Sequence, residues 1–86
     1  MLVNMYSIFD IKTGSYSTPF FQQNDATASR MFADEINGTD NLLAKHPEDL
    51  VLFNVGTWED NGAVVGHQPV SVVDGLALKV DRGQAV

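Results

Sequence analysis

The sequence predicts an α+β domain: a small antiparallel sheet of about four strands, built as two hairpins, with one main helix packed on one face. Three observations carry this. Apolar, aromatic and β-branched residues crowd residues 5–11 and 51–58. A short turn with a glycine, Lys12-Thr13-Gly14 or Asn61-Gly62, follows each of those segments, as hairpins require. Between them Asn24 to Ile36 repeats its apolar residues every three or four positions behind a good capping residue, the pattern of an amphipathic helix.

The elements follow in order. Met5, Tyr6, Ile8, Phe9 and Ile11 are too densely apolar for clean alternation and predict a central strand covered on both faces. Gly14 accepts positive φ, so the chain returns antiparallel from Tyr16. Pro19 cannot donate to a ladder, which places this second strand at an edge or breaks it near its end. That edge is rich in serine and threonine, a strip on which a partner can dock. Asn24 or Asp25 caps the helix, whose stripe Ala28, Met31, Phe32 and Ile36 faces the sheet and which Gly38 ends. Arg30, Asp34 and Glu35 fall on the other side, with Arg30 and Asp34 spaced for a weak i,i+4 pair.

Thr39 and Asp40 cap a shorter helical segment through Leu42, Leu43 and Ala44, which Pro47 ends, and Pro47-Glu48-Asp49 forms a turn. In the next strand Val51, Phe53 and Val55 alternate with Leu52, Asn54, Gly56 and Trp58, and the first set is assigned to the core. Gly56 marks a bulge or the close approach of another backbone. Asn61-Gly62 then turns the chain into Ala63-Val64-Val65. Residues 68–80 are open between extended chain, favoured by Val70, Val72 and Val73, and a turn of helix over Leu76, Ala77 and Leu78. The core set is therefore Ile8, Met31, Phe32, Ile36, Val51, Phe53 and Val55. Residues 1–80 make a single domain and residues 81–86 a mobile tail.

With 86 residues, such a domain buries about 60% of the surface its unfolded chain exposes, which favours a homodimer. There is no cysteine, hence no disulfide, thiolate nucleophile or cysteine-held metal, and a reducing compartment fits. Met1 to Met5 lack a basic flank, and no run reaches the roughly 18 apolar residues of a membrane span. A soluble protein without membrane association is expected. Net charge is −6 and the pI near 4.4, which opposes binding driven by phosphate neutralisation. The charge is uneven, however: Asp10 and Asp25 balance Lys12 and Arg30, so the acid excess lies wholly in residues 31–86. A polyanion would meet the N-terminal part.

No catalytic or metal motif appears. His46 and His67 have no metal-ligand spacing, and the adjacent pairs Glu48-Asp49 and Glu59-Asp60 read as solvated carboxylates flanking a strand. Asp60-Asn61-Gly62 lacks the further oxygen ligands of a calcium loop, and Gly62, Gly66 and Gly75 form no phosphate cradle. The hydroxyls of residues 7–18 have no base in a triad context. No cofactor and no enzymatic activity are expected. The aromatic residues remain: bases stack on such rings for about 1 to 3 kcal/mol each, and Tyr6, Tyr16, Phe20 and Trp58 are the candidates, with core packing as the competing role.

Several ordered blocks resemble a known family. They are Met5-Tyr6-Ser7-Ile8-Phe9-Asp10, Thr18-Pro19-Phe20-Phe21, and Asn24-Asp25 leading to Arg30-Met31-Phe32-Ala33-Asp34. His46-Pro47-Glu48-Asp49-Leu50, Leu52-Phe53 and Gly56-Thr57-Trp58-Glu59-Asp60 follow. Together these blocks, between residues 5 and about 62, resemble the nonstructural protein of gokushoviruses, single-stranded DNA phages of the Microviridae, a family also labelled DNA-binding. The resemblance implies a phage accessory protein made in the host bacterial cytoplasm and absent from the mature virion. Its implied role is genome replication or the handover of the genome to packaging, and it brings no catalytic residues.

Joined to the neutral, aromatic N-terminal third, this gives the leading reading, a homodimer that contacts single-stranded DNA. Tyr6, Tyr16 and Phe20 would stack on bases while Lys12 and Arg30 meet phosphates. The alternative is an acidic interaction module without nucleic-acid affinity, which recruits a viral replication or procapsid protein or a host protein.

Overall fold

A computed structural model of the chain describes residues 1–38 and 42–78. The expected cap at Thr39 and Asp40 and the expected tail from Asp81 lie outside the described residues. The sheet is antiparallel throughout. Strand β1 (Leu2–Asp10) runs through its middle, with β2 (Ser15–Tyr16) and β3 (Phe20–Gln22) along one side and β4 (Leu50–Glu59) along the other. β5 (Val64–Asp74) pairs with β4 and completes the order β2-β1-β4-β5. The gap between β2 and β3 contains Pro19, where a ladder donor is missing. Gly14 and Gly62, in the two hairpin turns, have φ of 69° and 95°.

Helix α1 (Asp25–Ile36) starts at Asn24, whose side chain accepts a hydrogen bond from the Thr27 backbone N–H at 2.9 Å. The Thr27 hydroxyl in turn accepts from the Asn24 N–H at 3.3 Å, closing a capping box with threonine in the acidic partner's place. Asn37, rather than Gly38, ends the helix: its amide Nδ2 donates to the Ala33 carbonyl at 2.9 Å and to the Leu78 carbonyl at 3.0 Å. Arg30 and Asp34 make no ion pair among the described residues. A short helix α2 (Leu42–Lys45) and a 3-10 turn (Pro47–Asp49) lead into β4.

Within residues 68–80, the described part up to Leu78 takes both answers in succession. The chain stays extended to Asp74 and then makes one helical turn, α3 (Gly75–Leu78). Gly75 is buried where α1, β4 and the 3-10 turn converge. A Cβ there would collide with the Pro47 carbonyl oxygen and lie 3.1 Å from Ile36 Cδ1. Gly56 has the predicted close approach: a Cβ would run into the Val65 carbonyl oxygen and lie 2.7 Å from Met5 Cε. The ladder shifts register beside it, in β1 between Met5 and Tyr6 and in β4 between Asn54 and Gly56. Pro69 falls within the matching stretch of β5, where no ladder hydrogen bond is asked of it.

The core lies between α1 and one face of the sheet. Tyr6, Leu52, Ala28, Phe32 and Ile36 are fully buried and Leu50 nearly so, with Ile8, Phe20, Leu43, Val72, Val73 and Leu78 packed around them. This inverts the expectation for β4. Leu50 and Leu52 meet the helix, whereas Val51 and Phe53 occupy the other face half-buried, and Val55 sits in the register shift. From Leu50 to Phe53 both alternating sets are apolar, so period two does not show which set the helix covers. Nor is β1 covered on both faces: among the described residues only one face carries helices. No described helix is long and apolar enough to cross a membrane.

Candidate nucleic-acid interface

The helix-free face gathers aromatic rings because the strand registers align them. Tyr16 lies opposite Phe9 across β1–β2, and Phe53, opposite Ser7 on β4, is one diagonal step away. The rings touch, with centroids 4.7 Å apart for Phe9 and Tyr16, 5.6 Å for Tyr16 and Phe53, and 6.1 Å for Phe9 and Phe53. A second pair forms further along. Phe21 faces Met5, Trp58 faces Val3, and their rings approach edge-on at 6.3 Å. Four residues of β1 separate the two groups, about 13 Å at ~3.3 Å per residue.

Between the groups Ser7 is buried, its hydroxyl donating to the Ser17 carbonyl at 2.7 Å. By alternation, no lysine, arginine, aspartate or glutamate of β1 to β4 points to this face among the described residues, and on β5 the exposed Asp74 lies opposite Val51 at its margin. Such a surface attracts planar, apolar partners and contributes little to counterion release.

The five sequence-predicted site residues do not form one site. Tyr16 is 47% exposed, and Lys12 is exposed in the turn just before it; these two share one end of the sheet. Tyr6 is on the opposite face beneath α1, fully buried, with its hydroxyl donating to Asp25 Oδ1 at 2.7 Å. Burial, seconded by that hydrogen bond and the Asp25 charge, pushes its phenol well above the usual tyrosine range. Its ring has no free face for a base. Phe20 pairs with Tyr6 on the same covered face, ring centroids 6.2 Å apart, half-buried against the core. Arg30 is exposed on α1, the layer on the other side of the sheet from Tyr16.

Phe9 and Phe53 escaped the sequence reading. Phe9 was legible in principle, because a short turn at Lys12-Thr13-Gly14 brings it across from Tyr16. Phe53 was assigned to the core with the wrong alternating set. Trp58 is on the face as a stacking candidate should be.

A cleft of about 860 Å³ opens at the end of the helix-covered face. Ile8, Leu43 and Leu50 line its apolar part, the β1–β2 turn with Asp10 and Lys12 forms one rim, and His46, Glu48 and Asp49 form the other. The rims are tied by the Ile11 N–H donating to the Asp49 carbonyl at 2.8 Å. His46 Nδ1 lies 3.6 Å from Glu48 Oε1, both side chains well exposed. His46, Glu48 and Asp49 can each present one ligand atom within 4.8 Å of the others, a grouping that linear spacing did not anticipate. Carboxylates on an exposed turn gather in this way without an ion, and the geometry assigns none.

Comparison with known proteins gives a family match over nearly the whole described chain. The family model described as Phage ORF5 protein matches residues 3–78, from the start of β1 to the end of α3. No curated protein and no solved structure matches the chain.

Proposed function

The chain belongs to the Phage ORF5 protein family and is a phage protein; from that premise we propose that it is a non-catalytic accessory protein of a single-stranded DNA phage of the gokushovirus kind. It acts in genome replication or in the handover of the genome to packaging, in the host cytoplasm and outside the mature virion. Its biochemical activity is sequence-tolerant binding of single-stranded DNA across the helix-free face of the sheet. The observation that carries this reading is the pair of aromatic groups on one face of the sheet, Phe9, Tyr16 and Phe53 at one end and Phe21 with Trp58 at the other.

Every base has a π-face, so rings of this kind bind strands of any sequence. Lys12, beside Tyr16, meets a phosphate. With one such contact the affinity is modest and its salt dependence shallow. A homodimer is part of the proposal, since the domain is small and β5 is a long edge strand with one neighbour. Light scattering at high micromolar concentration tests it, and a monomeric mass rejects it.

Fluorescence titration of a labelled single-stranded oligonucleotide at two salt concentrations tests the DNA reading. Binding should be lost by about 1 to 3 kcal/mol in Tyr16→Ala, with the fold intact by circular dichroism. Absence of binding to any oligonucleotide at low salt rejects it. The net charge of −6 then favours the second reading, an acidic module that recruits a viral or host protein without touching nucleic acid.

A further inference from the structure

We infer that the cleft between the β1–β2 turn and the 3-10 turn is a docking site for an extended basic segment of a partner protein. The segment places an apolar side chain on Ile8, Leu43 and Leu50 and an arginine or lysine against Asp49 and Glu48. The cleft opens at the end of the helix-covered face, and Lys12 and Tyr16 line it as well as serving the DNA reading above, so the two uses share that end of the sheet.

Three features define the occupant. The first is the cavity itself: about 860 Å³ with an aliphatic floor suits one or two apolar side chains rather than a bare ion. The second is charge. Three carboxylates, Asp10, Glu48 and Asp49, stand around the opening against one ammonium, Lys12. They are not equally available. Asp10 Oδ1 already accepts from the Lys12 and Thr13 backbone N–H groups, at 2.9 and 3.3 Å, and Glu48 faces His46. The Asp49 carboxylate has no side-chain partner among the described residues. A phosphate-bearing ligand meets repulsion here, whereas a guanidinium or ammonium finds unmet acceptors.

The third feature is the open edge beside the cleft. β2 ends the sheet, and no described strand pairs with its outer side. An extended segment can therefore bond along Ser15 and Tyr16 while its alternate side chains reach the cleft, the mode of strand addition. A polypeptide satisfies all three features together, and a free amine or a metal ion satisfies only one.

The test is fluorescence anisotropy of the whole chain with a short fluorescein-labelled peptide of alternating leucine and arginine. Counterparts in which glutamate replaces arginine, or serine replaces leucine, are measured in parallel. The leucine–arginine peptide should bind at least roughly tenfold tighter than either counterpart. The Glu48→Gln, Asp49→Asn double variant should weaken it roughly tenfold, and Lys12→Glu should strengthen it. Amide shift mapping on the unmodified protein removes any dependence on how the variants fold: the peptide should move the signals of Ser15 to Ser17 and Leu43 to Leu50. Equal binding of the arginine and glutamate peptides, binding of neither, or shifts confined to the Phe53 and Trp58 face would each overturn the assignment.

Discussion

Compare the two faces of the sheet. On one, Tyr6 and Leu52 disappear beneath Phe32 and Ile36 of α1, and even the tyrosine hydroxyl is matched, by Asp25. On the other, Phe9, Tyr16 and Phe53 pack against one another with nothing over them among the described residues, Tyr16 keeping 47% of its surface in water. The side chains are of the same kind. What separates the faces is one amphipathic helix with one apolar stripe, which can cover only one of them. The uncovered face thus holds more aromatic surface than folding uses, and contiguous apolar surface left exposed on a small domain marks a place of interaction.

The sharpest way to break this comparison is to remove one phenylalanine from each side. Phe32→Ala empties a fully buried site and should cost about 3 to 5 kcal/mol by urea denaturation. Phe53→Ala, on the half-buried face, should cost about 1 kcal/mol, since much of its ring already meets water. Equal losses would mean that the helix-free face is covered in solution, and the DNA platform would have to be abandoned for a permanent protein interface.

Gly75→Ala comes next in size. The added methyl meets the backbone oxygen of Pro47, which cannot swing aside, and the tip of Ile36. Overpacking at such a junction should destabilise by about 1 to 3 kcal/mol. Because this junction closes the covered face alone, DNA affinity per folded molecule should be unchanged. A parallel loss of affinity would show that the two faces are coupled.

These predictions depend on details that the sequence yields unequally. The helix with its cap, the two hairpins, the break at Pro19 and the crowding at Gly56 were all readable, because each is set by local chemistry: a side chain that caps, a ring without a donor, a missing Cβ. The facing of β4 was not readable. Leu50 and Leu52 are as apolar as Val51 and Phe53, and the choice between them is made by which set meets α1, a tertiary fact. The same step misplaced Tyr6 and Phe20 on the DNA side, since their parity relative to Tyr16 follows from a register that the strand break between Tyr16 and Phe20 conceals. The cleft was invisible for a related reason: its walls come from residues 8–17 and 43–50, and only the pairing of β1 with β4 brings them together.

Tyr6→Phe probes the covered face through pH. Loss of the hydrogen bond to Asp25 should cost about 1 kcal/mol at neutral pH, with no change in DNA binding. Burial raises the phenol above the ordinary tyrosine value of about 10, so the native state favours the protonated form. The stabilisation is fully present below that value and drains away as pH rises above it. Thermal denaturation between about pH 9 and 11.5 should show the parent protein losing stability more steeply than Tyr6→Phe at the alkaline end. Parallel curves would place the hydroxyl in water and remove the burial on which the contrast of faces depends.

The smallest expected effect discriminates the two faces most directly. If the strand lies on the aromatic side, Lys12→Ala removes one phosphate contact and should lower the slope of log affinity against log salt by about 0.7. Its effect on affinity at moderate salt should be small. Arg30→Ala should change neither quantity, because its side chain is on α1, on the far layer of the molecule. Tyr16→Ala should lower affinity and leave the slope as it was, since stacking releases no counterions. Should Arg30→Ala flatten the slope as much as Lys12→Ala, the strand must reach around to the helical layer. The aromatic face would then be free for a different partner, with its rings best suited to another apolar protein surface.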